Sequence, residues 1–187
     1  MDARYEKVRV AGSVRDCAVL ISIGIKLSGH RSVLGVSVSL SEAEVHWREL
    51  LSSLKKGSMH DVKLIVSDAH EGLKAARQAT FAGIPWQRCQ FHLARNAMHH
   101  TPKVEMRKQV ADDIRNIFNA SDAHHAEEEL GRFVDRYQET APKLAAWAEA
   151  NLAEGLAVFG IPSEHRKRMR TTNMLERQNR ELKRRTR

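Results

Sequence analysis

Val62-Lys63-Leu64-Ile65-Val66-Ser67-Asp68 is a short, nearly continuous apolar run closed by Ser and Asp. Such a run suits a central strand covered on both faces, where polar–apolar alternation gives way to apolar residues on each side. Asp68 then stands at the C-terminal end of that strand, where open α/β sheets present their ligand sites. It equally suits the N-cap of the helix that the pattern predicts from His70 to about Phe81. Gly83-Ile84-Pro85 ends that helix, and a brief strand from Trp86 to Cys89 leads into another helix through Ala97.

Upstream, apolar residues recur at period two: Val19, Ile21, Ile23 and Ile25, then Leu34, Val36, Val38 and Leu40. Ser28-Gly29-His30 supplies the turn between them. A shorter strand from Arg4 to Val10, joined through Ala11-Gly12-Ser13, makes a three-strand meander. Ser41 with Glu44 reads as a capping box opening a helix that carries Val45, Trp47, Leu50, Leu51 and Leu54 until Gly57. The order β-β-β-α-β-α-β-α predicts an α/β fold, a mixed sheet flanked by helices.

Downstream, from Pro102 to about Gly160, the strand signal disappears. Ile114, Ile117 and Phe118, then Leu130, Phe133, Val134 and Tyr137, then Leu144, Trp147 and Leu152 mark successive amphipathic helices. After Gly160-Ile161-Pro162 a basic stretch begins, with a last helix opening near Thr171-Thr172-Asn173. The expected organisation is residues 1–101 as the first part of the core, 102–160 as a helical insertion, and 161–187 completing the core.

No apolar run among the 187 residues approaches the roughly 20 needed for a membrane span, and Met1 leads straight into charged residues rather than a signal peptide. A soluble, cytoplasmic protein with no membrane partner is expected. Cys17 and Cys89 lie in dissimilar surroundings, so a disulfide framework is not expected. From His165 to Arg187 the chain holds ten Lys and Arg against two Glu, which accounts for the whole net charge of +8. Charge concentrated this way is what a polyanion-binding surface needs, although a solvated basic tail has the same composition.

Asp2, Asp68 and Glu176 each have an ordinary explanation: a solvated terminus, a helix cap, the acidic half of a capping box. Together they fit a two-metal phosphoryl-transfer site, because Mg²⁺ or Mn²⁺ prefers hard carboxylate oxygens. Three acids that close would repel one another until cations bind.

Five stretches carry a resemblance: Asp2-Ala3-Arg4-Tyr5-Glu6-Lys7-Val8-Arg9, Leu34 to Glu42, Val66-Ser67-Asp68-Ala69-His70-Glu71-Gly72-Leu73, Trp86 to Asn96 with its Cys89-Gln90-Phe91-His92, and Thr172 to Arg187. In this order they resemble the Mutator-type transposases of bacterial insertion sequences. The resemblance implies a ribonuclease H-like fold with an Asp-Asp-Glu triad, whose catalytic and metal-binding roles fall on Asp2, Asp68 and Glu176. It implies DNA strand cleavage and strand transfer, with Mg²⁺ or Mn²⁺ as cofactor. The implied partners are the element's terminal inverted repeats, target DNA and further copies of the chain in a homodimer or higher oligomer, nucleoid-associated when bound to DNA.

On that reading Arg177, Arg180, Lys183, Arg184, Arg185 and Arg187 would contact DNA phosphates. Cys89 and His92 form a Cys-x-x-His pair that supports the structure or the site; zinc is not expected, since only His99 and His100 lie near enough in sequence to complete four ligands. Trp47, Trp86 and Trp147 are expected in core packing. Family members extend beyond both ends of this stretch, so the chain reads as truncated. A non-catalytic DNA-binding remnant or a regulatory fragment is the alternative.

Overall fold

The computed structural model describes residues 1–26, 28–57, 59, 61–173, 175, 177, 180, 181 and 184, with the backbone alone at Val10. Two compact units divide the chain: Met1–Ile84 with Thr172–Arg187, and Pro85–Thr171. The architecture is mixed α/β.

In the first unit β1 (Asp2–Val10), β2 (Ser13–Ile25) and β3 (Arg31–Ser39) form an antiparallel sheet in that order. β1 pairs with β2 from Asp2 opposite Ile21 to Val10 opposite Ser13. The two-residue turn between them puts Ala11 at φ 48° and Gly12 at φ 82°, the left-handed pair that lets a tight hairpin follow the strand twist. Gly29, at φ 78°, closes the β2–β3 connection by donating to the Lys26 carbonyl.

One sheet face is covered by α1 (Glu44–Lys56). Ala18, Leu20 and Ser22 of β2 lie buried beneath it, together with Trp47, Leu50, Leu51 and Leu54 of the helix. Gly35 sits where a Cβ would come within 2.9 Å of Leu54. The period-two apolar residues of β3 occupy the opposite face: Val36 and Val38 are 55% and 62% exposed. Leu34 falls out of their alternation at an irregularity in pairing, where Ser22 opposes Gly35 but Ile23 opposes Val33.

The expected capping box is corrected. α1 is capped by Ala43, with no side-chain cap bond, because the helix begins at Glu44 itself; the Ser41 hydroxyl instead accepts from the Ala43 N–H at 3.4 Å. β4 (Ile65–Ser67) is shorter than the apolar run suggested, and α2 (Glu71–Thr80) packs its buried Leu73 and Ala76 toward α1. Asp68 is not the N-cap of α2; His70 is. Helical backbone resumes at Asn173.

The second unit begins with β5 (Trp86–Arg88) and α3 (Gln90–His100). Then come α4 (Met106–Phe118), α5 (Ala123–Tyr137) and α6 (Pro142–Asn151), two 3-10 turns (Leu152–Gly155 and Ala157–Gly160) and α7 (Ser163–Met169). Val110, Ile114, Ile117, Phe133, Leu144 and Val158 are among its buried side chains. Gln87 is fully buried here: its amide nitrogen donates to the Gly155 carbonyl at 2.6 Å and its oxygen accepts from the Val158 N–H at 2.8 Å. Gln90 donates to the same Gly155 carbonyl at 2.8 Å. The unit's two ends meet, since the Gln90 N–H donates to the Arg170 carbonyl at 3.0 Å. Among the described residues no helix is long and apolar enough to cross a membrane.

Candidate functional site

Asp2 opens β1, half-buried and opposite Ile21. The terminal ammonium of Met1, one residue before it, donates to the Val66 carbonyl at 2.7 Å. That bond ties the residue before β1 to β4, so Asp2 and Asp68 each lie within two residues of it. Arg4, two positions along the same face of β1, is paired with Glu6.

Asp68 follows β4 directly and is half-buried. Its carboxylate accepts from the His70 N–H at 3.3 Å, and its own carbonyl accepts from the Ser67 hydroxyl at 2.7 Å. The short polar turn between β4 and α2 thus fixes the carboxylate locally, as Asp does when it bonds to backbone two residues on.

A second acid approaches this turn. Glu42, from the β3–α1 connection, places a carboxylate oxygen 3.9 Å from the His70 ring nitrogen Nδ1. Burial pushes the Glu42 carboxyl above the ordinary range; His70 works against that shift and Asp68 adds to it. Glu42 and His70 lie within the motif stretches, but nothing local in the sequence pairs them.

The donor set of Asp2 and Asp68, hard carboxylate oxygens and no thiolate or imidazole between them, fits Mg²⁺ or Mn²⁺ in chemistry. Among the described residues no three His, Cys, Asp or Glu are grouped to hold a metal, so a complete shell needs a further donor. Glu176, expected in that role, lies outside the described residues, as do Lys183, Arg185 and Arg187.

Arg177, Arg180 and Arg184 are exposed on helical backbone, and Arg184 makes two hydrogen bonds to Glu181, at 2.7 and 3.0 Å. The basic stretch is therefore not uniform. Further upstream Arg166 is engaged in the second unit, donating to the carbonyls of Ile161, Ser121 and Phe159, and Arg170 donates to the Asn119 side chain. Burial lowers the Arg170 pKa, with Arg166 adding to the effect.

Cys89 is fully buried and caps α3, its carbonyl accepting from the Leu93 N–H. His92, half-buried one turn later, meets the Phe91 ring edge-on. His100 stacks on Trp147 with ring centroids 5.2 Å apart. Trp47 is a core residue, whereas Trp86 and Trp147 are half-buried.

The family described as "Transposase, Mutator family" matches residues 1–187. Over 187 residues the chain is 54% identical to the transposase for insertion sequence element IS406 of Burkholderia multivorans, covering 100% of this chain and 48% of that protein. The ISRM5 transposase of Rhizobium meliloti is 38% identical, covering 100% and 46%, and the IS256 transposase of Staphylococcus aureus is 32% identical, covering 98% and 47%. The chain spans about half the length of these curated relatives.

Proposed function

The chain belongs to the Mutator family of transposases, and on that premise we propose that it is the catalytic core of an insertion-sequence transposase, cutting and joining DNA strands by metal-dependent phosphoryl transfer. The observation that carries this reading is the hydrogen bond from the Met1 ammonium to the Val66 carbonyl, which draws the start of β1 and the Asp68 turn together. A ribonuclease H-like fold is part of this proposal, and it is supported by the three-strand antiparallel meander and by the bond from Met1, just before its first strand, to Val66 of β4. Residues 102–160 are then a helical insertion before the segment carrying Glu176.

Asp2, Asp68 and Glu176 bind the metal ions in this proposal. Divalent ions held there would supply activation of an attacking oxygen and stabilisation of the leaving one. The chain's own residues supply position. Half-burial of Asp2 and Asp68 limits competing water, and the His70 N–H orients one Asp68 oxygen. Arg177, Arg180 and Arg184, with Lys183, Arg185 and Arg187, hold DNA phosphates by charge, positioning the strand without reading its sequence. The DNA is the element's terminal repeats and then the target, acted on by a dimer or larger assembly in the cytoplasm.

The test is thermal stability of the purified chain in a Mg²⁺ or Mn²⁺ titration, for wild type and Asp68→Asn. A metal-dependent rise in Tm that disappears in the variant supports the proposal. No rise at millimolar ion in wild type rejects the metal site. In DNA-nicking and binding assays, Glu176→Gln is expected to lose cleavage and keep binding; equal loss of both would reject its catalytic role.

A further inference from the structure

Asp68 lies on a turn, and a carboxylate that must meet a metal within a few tenths of an ångström needs that turn held from outside. Three observations identify what holds it. The Asp68 carboxylate is bonded to the His70 N–H at 3.3 Å, so any movement of His70 carries the carboxylate with it. The His70 ring stands 3.9 Å from the Glu42 carboxylate, and the Glu42 side chain is only 14% exposed against 40% for His70, so Glu42 is the fixed partner of the two. Finally, Gly72 in the first turn of α2 faces the Glu42 backbone so closely that a Cβ there would lie 2.2 Å from the Glu42 carbonyl oxygen and 3.0 Å from the Glu44 nitrogen. The same residue thus touches the Asp68 turn on both sides, by its side chain at His70 and by its main chain at Gly72.

We infer that Glu42 is a positioning residue for the candidate metal site, bracing the β4–α2 turn through His70 so that the Asp68 carboxylate keeps its orientation. Glu42 does not itself bind the metal; it acts through the His70 ring and backbone. The inference rests on the proposed metal-binding role of Asp68. Outer partners that orient a metal-binding side chain commonly change affinity by roughly 10–100-fold when removed, which sets the size of the effect.

The experiment is Mn²⁺ binding by the purified chain, read from the loss of the free-ion electron paramagnetic resonance signal, for wild type, Asp68→Asn, Glu42→Ala, Glu42→Gln, His70→Ala and the Glu42→Ala/His70→Ala pair. Circular dichroism on each confirms that it is folded. Asp68→Asn is expected to abolish binding. Glu42→Ala and His70→Ala should each weaken it by roughly tenfold, and the pair should weaken it no more than either alone, because both act through one contact. Glu42→Gln, which keeps an oxygen facing the His70 ring, should recover most of the affinity.

Wild-type binding that Asp68→Asn abolishes but Glu42→Ala leaves unchanged overturns this inference alone. A Glu42→Gln variant as deficient as Asp68→Asn also overturns it, since Glu42 would then be a ligand. Wild type that takes up no Mn²⁺ overturns the metal role of Asp68 and this inference with it. Should Glu42→Ala fail to fold, Glu42→Gln and His70→Ala decide: strong retention in the first with tenfold loss in the second supports the brace, and no loss in the second rejects it.

Discussion

Replacing Gln87 by Met tests whether the second unit is organised around one buried amide. Met matches Gln in length but can neither donate to the Gly155 carbonyl nor accept from the Val158 N–H. These two bonds are not equivalent, and a longer third one, to the neighbouring Arg88 carbonyl at 3.2 Å, goes with them. Gly155 keeps a second donor, Gln90, at 2.8 Å, so its carbonyl stays satisfied and the loss there is about 1 kcal/mol. The Val158 N–H is left inside the core without the amide oxygen, which costs about 1–3 kcal/mol. Gln87→Met should therefore destabilise by about 2–4 kcal/mol. Gln90→Met should cost about 1 kcal/mol, because Gln87 still serves Gly155. The double variant strips the Gly155 carbonyl of both donors, so its cost should exceed the sum of the singles by about 1 kcal/mol or more. Urea unfolding followed by circular dichroism reads these as shifts in midpoint at constant slope. The reasoning is refuted if Gln87→Met lies within about 0.5 kcal/mol of wild type, if the two single variants cost the same, or if their effects simply add.

Four further outcomes are expected. Ala11→Asn should stabilise by about 1 kcal/mol in the same unfolding assay, since Asn tolerates the φ of 48° that Ala occupies at strain. Gly72→Ala should lower Tm despite a gain of about 1 kcal/mol in helix propensity, because relieving a contact with the Glu42 main chain costs roughly 2–3 kcal/mol; a raised Tm would contradict that packing. The Tyr137 phenol is pushed up to about 12 by burial and then by its hydrogen bond to Asp113. A folded pKa above the ordinary 10.0 favours the native state fully below pH 10 and loses that contribution as pH rises through 12, so phenolate absorbance in a Tyr5→Phe background should step near pH 12 and stability should fall across that window. Arg177→Ala and Arg180→Ala should each weaken DNA binding alike on all sequences and reduce the salt slope by about 1 in fluorescence anisotropy; a sequence-dependent loss would mean base contacts instead.

The strands were legible because period-two patterning is strong in β2 and the apolar run at 62–66 is too short and too continuous for a helix. What that pattern did not say was which side is covered. In β3 the small residues Gly35 and Ser37 lie toward α1 and the valines face outward, because the close approach of Leu50 and Leu54 leaves no room for a Cβ at Gly35. The start of α1 was misread because Ser41 with Glu44 has capping-box spacing, yet the hydroxyl is satisfied two residues on, before the helix begins. Of the proposed site, Asp2 and Asp68 could be picked out by motif and by position at strand ends. Glu42 could not, nor could Gln87 in the core of the second unit: each acts through partners distant in sequence, and a Glu or Gln beside a strand looks like a solvated residue until its neighbours are known.

The bond from the Gln90 N–H to the Arg170 carbonyl pins the entry and exit of the second unit side by side. A segment whose ends are already held together imposes little extra closure entropy on the chain that hosts it, and that cost grows only logarithmically with length. Residues between these two points form a closed loop of loosely constrained length, anchored from outside by the Gln87 amide at Gly155 and Val158. Helices between them could be lengthened or trimmed, provided that Gly155 and Val158 still meet Gln87.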